Sequence, residues 1–322
     1  MAVETVLSAV NKTLFEQMKK DDSVVVFGED VGFEGGVFRA TKGLQQEFGK
    51  KRSFDSPLAE SAIIGSALGM AVNGLKPVVE IQFSGFMFPG YNQIATHVAR
   101  YRNRTRGLYT VPMVIRMPYG GGIRALEHHS ESLEVLFGHI PGLKVVVPST
   151  PYDAKGLLTS AIQDPDPVIF MEPKRIYRAF KQELPDKEFK VPIGKAKVLK
   201  KGEDITVVTW GALVRETEKA IKDLDVDVEL IDLRTIQPYD KETIAKSVQK
   251  TGRLLVVHEA VKSFGPGAEI ISMINEKAFL YLEAPPTRLT GFDITVPLPK
   301  GEHHFIITPE QIKAKIKDIM AF

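Results

Sequence analysis

The sequence predicts an α/β protein of two domains, each built on a parallel sheet. Three observations carry this expectation. Short apolar runs alternate with helix-period runs along the whole chain, the pattern of parallel βαβ units. A charged, proline-punctuated stretch from 173 to 202, including Lys181-Gln182-Glu183-Leu184-Pro185-Asp186-Lys187, separates two such series. A length of 322 residues suits about two domains at ~150 residues each. The expected division is a first domain at 1–185, a linker at 186–200 and a second domain at 201–322.

The elements follow in chain order. Val6, Val10, Leu14 and Met18 recur every four residues and predict an amphipathic helix. Residues 24–27 (Val-Val-Val-Phe) read as a buried strand ending at Gly28-Glu29-Asp30. Residues 60–72 are small and apolar, which suits a closely packed helix. Strands are expected at 77–81, 111–116, 143–147 and 168–171, with helices at 91–101 and 152–162. The second series reads strand 205–209, helix 213–224, strand 226–231, helix 241–249, strand 254–258 and helix 268–278. A last helix spans 309–320, with Thr308 as its N-cap and Pro309 at its first position.

Composition excludes several function classes. Hydrophobic content of 43% and charge of 25% are ordinary for a soluble globular protein. Forty-two basic against 40 acidic residues give a net charge of +2, which is no footprint for nucleic acid. With no cysteine, disulfides, thiolate metal sites and cysteine nucleophiles are out. No apolar run approaches the ~20 residues of a membrane helix. Residues 1–5 lack the basic start of a signal peptide. A cytoplasmic protein without a membrane partner is expected. Walker-type, dinucleotide-binding, nucleophile-elbow and zinc-protease motifs are all absent.

The densest signal is Pro118-Tyr119-Gly120-Gly121-Gly122-Ile123-Arg124-Ala125-Leu126-Glu127-His128-His129-Ser130-Glu131. Glycine lets backbone approach a ligand, and histidine moves protons near neutral pH. A surface histidine pair in a flexible loop is the plain alternative. A second signal is Phe54-Asp55-Ser56-Pro57-Leu58-Ala59-Glu60, which puts a carboxylate at the entry to the small-residue helix. The helix dipole favours a carboxylate there in any case. A third is Glu80-Ile81-Gln82-Phe83-Ser84-Gly85-Phe86-Met87-Phe88-Pro89, aromatic and just after a strand, where α/β sheets bind ligands. Its rings serve as core, or one offers a flat face to a ligand ring. Glu302-His303-His304 reads as a solvated turn or a metal site.

Several of these segments recur together in one family. Gly28-Glu29-Asp30-Val31-Gly32, the run from Phe54 to Glu60, Glu80-Ile81-Gln82-Phe83 and His129-Ser130 stand in order. So do the run from Pro141 through Val147-Pro148-Ser149-Thr150 to Gly156, and Ile231-Asp232-Leu233-Arg234-Thr235-Ile236. The chain resembles the beta subunit of the thiamine-diphosphate-dependent decarboxylase component of 2-oxo acid dehydrogenase complexes, over essentially its whole length. The pyruvate and branched-chain enzymes both belong to that family, and the likeness is greatest to the pyruvate enzyme.

The resemblance implies an N-terminal pyrimidine-binding domain and a C-terminal transketolase-type α/β domain. It implies thiamine diphosphate shared with an alpha subunit, because this chain has no G-D-G motif; magnesium and the diphosphate fall to that partner. Glu60 matches the glutamate that bonds N1′ of the aminopyrimidine, a role that needs a carboxylate able to share a proton with a ring nitrogen. Phe86 matches the aromatic residue stacked on that ring, and Leu58 and Gln82 match positions lining the pocket. His129 matches the histidine that assists acyl transfer to a lipoyl group, with His128 behind it. Relatives read H-S-Q or H-S-D where this chain reads His129-Ser130-Glu131, so Glu131 is expected to raise the basicity of the imidazole. Met113, Ala161, Ile162, Asp164 and Asp166 match a monovalent cation site, commonly potassium, although Asp164-Pro165-Asp166-Pro167 alone reads as a turn. The expected partners are the alpha subunit in an alpha₂beta₂ heterotetramer, the peripheral-subunit-binding and lipoyl domains of a core acyltransferase, and a small 2-oxo acid. Pyruvate leads as substrate over a branched-chain 2-oxo acid or acetoin. A non-catalytic assembly subunit is the reading from another class.

Overall fold

A computed structural model describes residues 2–322. The first half runs β1 (Ala2–Glu4), α1 (Val6–Lys20), β2 (Val24–Gly28), α2 (Leu44–Phe48), β3 (Ser53–Asp55), α3 (Glu60–Val72), β4 (Lys76–Glu80), α4 (Phe88–Gln93), α5 (Tyr101–Arg104), β5 (Val114–Tyr119), α6 (Glu134–Gly138), β6 (Lys144–Val146), α7 (Pro151–Ile162), β7 (Val168–Pro173) and β8 (Gln182–Leu184). The second half runs β9 (Lys197–Lys200), β10 (Ile205–Thr209), α8 (Leu213–Ile221), β11 (Val228–Asp232), β12 (Thr235–Gln237), α9 (Lys241–Thr251), β13 (Leu254–Val261), α10 (Pro266–Ala278), β14 (Thr287–Gly291), α11 (Glu302–Phe305) and α12 (Pro309–Met320).

Two sheets result. The larger has the order β12-β6-β7-β5-β4-β2-β3, parallel except for β12. The smaller has the order β14-β13-β10-β11-β9, parallel except for β9. β1 pairs antiparallel with β8 apart from both.

The period of two along each strand sorts side chains between separate cores. Val114, Val168 and Phe170 face α1 and α7. Their neighbours Ile115, Ile169 and Met171 face α3 and the second half of the chain. That second core is continuous across the halves, since Val208, Trp210, Ile231 and residues of α9 and α10 belong to it. On the far side of the smaller sheet, Val207, Leu255 and Val257 pack against α8 and α12. The buried strands therefore read as unbroken apolar runs.

Helix ends carry the expected chemistry. Thr5 and Ser8 form a capping box on α1, and Thr308 and Gln311 do the same on α12. Thr150 caps α7 ahead of Pro151.

The structure departs from expectation in places. Residues 197–200, assigned to the linker, form β9, an edge strand with exposed lysines at both ends; charge on an edge strand discourages further pairing. The helix expected at 91–101 starts earlier, at Phe88 with Pro89 inside its first turn, and breaks through a π-turn at Ile94–Val98. β12 leaves the second half to pair with β6 at the edge of the larger sheet.

Candidate active site

β2, β3, β4 and β5 are parallel, so the loops after them gather along one edge of the sheet, where ligands of α/β folds sit. Glu29 and Asp30 follow β2, Asp55 ends β3, Gln82 follows β4 and the histidine loop follows β5.

Glu60 is the first residue of α3 and is half-buried. The start of its helix is docked on the segment that carries Phe86. The Ser61 hydroxyl donates to the Pro89 carbonyl. Gly90 packs on the Glu60 carbonyl so closely that a Cβ there would lie 3.2 Å from it. On the other side, the Gln82 amide donates to Asp30 Oδ2 at 3.3 Å. Burial pushes the Glu29 carboxyl up, and the charges on Asp30 and Glu60 push it further. Three carboxylates thus share one region, and a proton held by one of them and shared with a ring nitrogen would relieve their repulsion.

His129 lies between two rings. Its imidazole meets Phe83 at a centroid distance of 4.4 Å and Phe86 at 5.0 Å, edge-on to both. The His129 Nδ1 atom is buried and has no hydrogen-bond partner among the described residues. Buried polar atoms are usually paired, by protein or by ordered water. The loop is sewn to the segment after β4: Ser84 Oγ donates to the Glu131 carbonyl at 2.9 Å, and Gly85 leaves no room for a Cβ against the His128 carbonyl.

Glu60, Gln82, Phe86 and His129 thus all follow strands at the same edge of the sheet, with Phe86 and His129 in direct contact. A carboxylate, an amide, a phenyl ring and an imidazole suit a flat, nitrogen-bearing ring such as an aminopyrimidine. Leu58 stands on the loop before α3 and is 69% exposed. Phe33 and Phe88 are exposed as well, at 74% and 51%.

Other expected roles change. The Glu131 carboxylate faces His128, 3.4 Å from Nδ1, not His129; the three-residue spacing of a tight turn brings 128 and 131 together. His128 is exposed. Glu302 is not in a solvated turn: it is 2% exposed, and both its carboxylate oxygens accept from the backbone of the histidine loop. At the proposed cation positions, both Asp164 oxygens hold Lys144 Nζ at 2.6 and 2.7 Å, and Asp166 Oδ1 holds Arg102 at 2.6 Å. Those carboxylates are neutralised by side chains, so they do not fit as cation ligands. Among the described residues no group of three or more His, Asp or Glu side chains suits a metal ion.

Sequence reasoning also missed Phe83 as a neighbour of His129, Glu29 beside Glu60, and a buried acid beyond the histidine loop. Glu134, on α6, is buried, and burial pushes its carboxyl up to about 7. Trp210 Nε1 donates to Oε1 at 3.3 Å, while Oε2 has no partner among the described residues. The folded state then holds a proton above the ordinary value of 4.5, where the unfolded chain releases it. Stability contributed by this group is full below pH ~4.5 and falls until pH ~7. Thermal unfolding of Glu134→Gln should therefore decline less between pH 5 and pH 8 than the parent, by up to about 3 kcal/mol. Parallel declines in the two proteins would refute this.

Comparison with known proteins gives the frame. The family described as "Transketolase, pyrimidine binding domain" matches residues 4–179, and "Transketolase, C-terminal domain" matches residues 194–312. A protein of Acholeplasma laidlawii named "Pyruvate dehydrogenase E1 component subunit beta" is 66% identical over 99% of this chain and 98% of its own length. Proteins of the same name from Mycoplasma genitalium and Staphylococcus aureus are 54% identical over 92% of both chains and 48% identical over the whole of both. The chain belongs to this beta-subunit family. As a family member it carries the transketolase fold, and the solved structure "Split gene transketolase, inactive beta4 tetramer" matches it with a TM-score of 0.81 over 99% of both chains at 19% identity. Among the described residues, no helix of this beta-subunit family member is long and apolar enough to cross a membrane.

Proposed function

We propose that this chain is the catalytic beta half of a pyruvate dehydrogenase, acting in thiamine-diphosphate-dependent decarboxylation and in acyl transfer to the lipoyl domain of a core acyltransferase. The observation that carries the reading is the contact of Phe86 with His129 at the sheet edge that also carries Glu60 and Gln82, in a chain 66% identical to a protein named for that activity.

When bound, the cofactor supplies a carbon nucleophile for the 2-oxo carbonyl. This chain's part is to hold its pyrimidine. Glu60 shares a proton with the ring nitrogen, Phe86 lies against the ring, and Gln82 and Leu58 bound the pocket. Phe83 and Phe86 exclude water around the His129 imidazole, which is placed to deliver or accept a proton during acyl transfer. Magnesium and the diphosphate belong to the alpha subunit. A potassium ion at Met113, Ala161, Ile162, Asp164 and Asp166 would be held by main-chain carbonyls, since the two carboxylates are paired with Lys144 and Arg102.

The exposed Phe33, Leu58 and Phe88 flank the start of α3, and an alpha subunit seated there would cover them. An alpha₂beta₂ assembly in the cytoplasm, docked on the peripheral-subunit-binding domain of the acyltransferase, follows from the same reading.

Co-expression with an alpha subunit of the same family tests it, through decarboxylation of pyruvate and of 3-methyl-2-oxobutanoate. Faster turnover of the branched substrate would overturn the choice of pyruvate. By calorimetry, the isolated chain is expected not to bind thiamine diphosphate at micromolar concentration. Micromolar binding without the alpha subunit would refute the shared site.

A further inference from the structure

The three glycines before the histidine pair have a use that a ligand does not explain. Gly120 and Gly122 have φ of +80° and +93°, a region that side chains with a Cβ seldom enter. Each glycine lies against a side chain of the protein itself. A Cβ on Gly120 would lie 2.5 Å from Glu259 Oε2, one on Gly121 3.2 Å from Glu302 Oε1, and one on Gly122 2.5 Å from Arg175 Cδ. Glu259 and Glu302 belong to the second half of the chain.

The contact is a grip on backbone. Gly122 N–H donates to Glu302 Oε1 at 2.7 Å, and Arg124 N–H donates to Oε2 at 2.8 Å. Both oxygens of one buried carboxylate are thus engaged by the loop. Charge-assisted bonds of this kind are short and strong. Gly120 N–H closes the neck of the loop on the Glu131 carbonyl at 3.0 Å. Lys174 Nζ, itself buried, donates to the Gly120 carbonyl at 2.6 Å, and Arg175 pairs with Glu259 at 3.0 Å. Lys174 and the Arg175–Glu259 pair hold the neck of the loop, and Glu302 of the second domain holds Gly122 and Arg124 just beyond it.

We propose that Glu302 is a positioning residue: from the C-terminal domain it holds the Gly120–Glu131 loop so that His129 stays between Phe83 and Phe86. The proposal rests on the role given to His129 above. A carboxylate is needed because two N–H donors point at it. A glutamine keeps one acceptor and turns an N–H₂ group toward the other donor.

The test uses the assembled alpha–beta complex. Glu302→Gln, Glu302→Asp, His129→Ala and the double variant Glu302→Gln/His129→Ala are compared in two assays: ferricyanide-coupled decarboxylation and acylation of a lipoyl domain. Hydrogen exchange of the peptide covering 120–131 reports loop order without reference to activity. Glu302→Gln should speed exchange in that peptide and lower lipoyl acylation by about 10- to 100-fold, as displacement of an oriented group does. Ferricyanide-coupled decarboxylation should stay near the parent rate. Glu302→Asp, which keeps the carboxylate, should lose less. The double variant should be no worse than His129→Ala. Unchanged exchange in 120–131, or equal loss of both activities in an intact complex, would overturn the proposal. If Glu302→Gln loosens the loop while His129→Ala leaves lipoyl acylation unaffected, the grip stands and the role of His129 falls.

Discussion

Replacing Glu60 with glutamine is expected to cut turnover with pyruvate by about 10²- to 10⁴-fold, the range for losing a positioned acid–base group. The complex should remain intact. Glutamine has the shape of glutamate, and what fixes this helix start is backbone: the Glu60 carbonyl against Gly90 and the Ser61 hydroxyl on Pro89. None of that needs the carboxylate. The side chain stands in the region of Glu29 and Asp30, whose charges give a proton-sharing ring a reason to sit there. Decarboxylation by the alpha–beta complex and exchange of the cofactor C2 proton, followed by NMR, check this. A variant that exchanges that proton near the parent rate would remove Glu60 from the role.

The second large effect is expected from His129→Ala. Acylation of a lipoyl domain should fall by about 10²-fold or more, the size of general acid–base assistance. Cofactor binding to the complex should change little. The imidazole touches two aromatic edges at 4.4 and 5.0 Å, and its Nδ1 atom bonds nothing among the described residues. Its removal therefore breaks no internal hydrogen bond at Nδ1, so a large kinetic loss would report chemistry, not collapse of the loop. Lipoyl acylation measured beside cofactor titration separates the two. If acylation persists unchanged, His128, exposed and near Glu131, becomes the better candidate.

What was legible in the sequence had a local cause. The four-residue spacing from Val6 to Met18 fixes one face of α1, and Thr308-Pro309 marks the start of α12. Strands buried on both faces announce themselves as apolar runs. β3 and β12 have three residues each, too few for a period to show. β14 is Thr-Arg-Leu-Thr-Gly at an edge, too polar to read as core. Glu60, Gln82, Phe86 and His129 stand in short motifs that the family resemblance marks. Phe83 stands in one of the same motifs, but nothing local tells a ring beside His129 from a core ring. Glu302 could not be found in this way, because the loop it holds lies far back along the chain and only the fold brings them together. The glycines showed that something approaches closely, but not that it was the protein's own second half.

β12 carries a last consequence, one of order in time. A chain leaves the ribosome from its N-terminus, and domains generally fold as they emerge. Here the first sheet is not finished when its own stretch of sequence ends near residue 185. Until Thr235–Gln237 emerges, the outer edge of β6 lies open, with donors and acceptors free to pair with another chain. The apolar face that Trp210 and α9 later cover is likewise wet. The boundary between the two matched families is therefore not where the first sheet ends: that sheet becomes complete only after a large part of the second domain has been made.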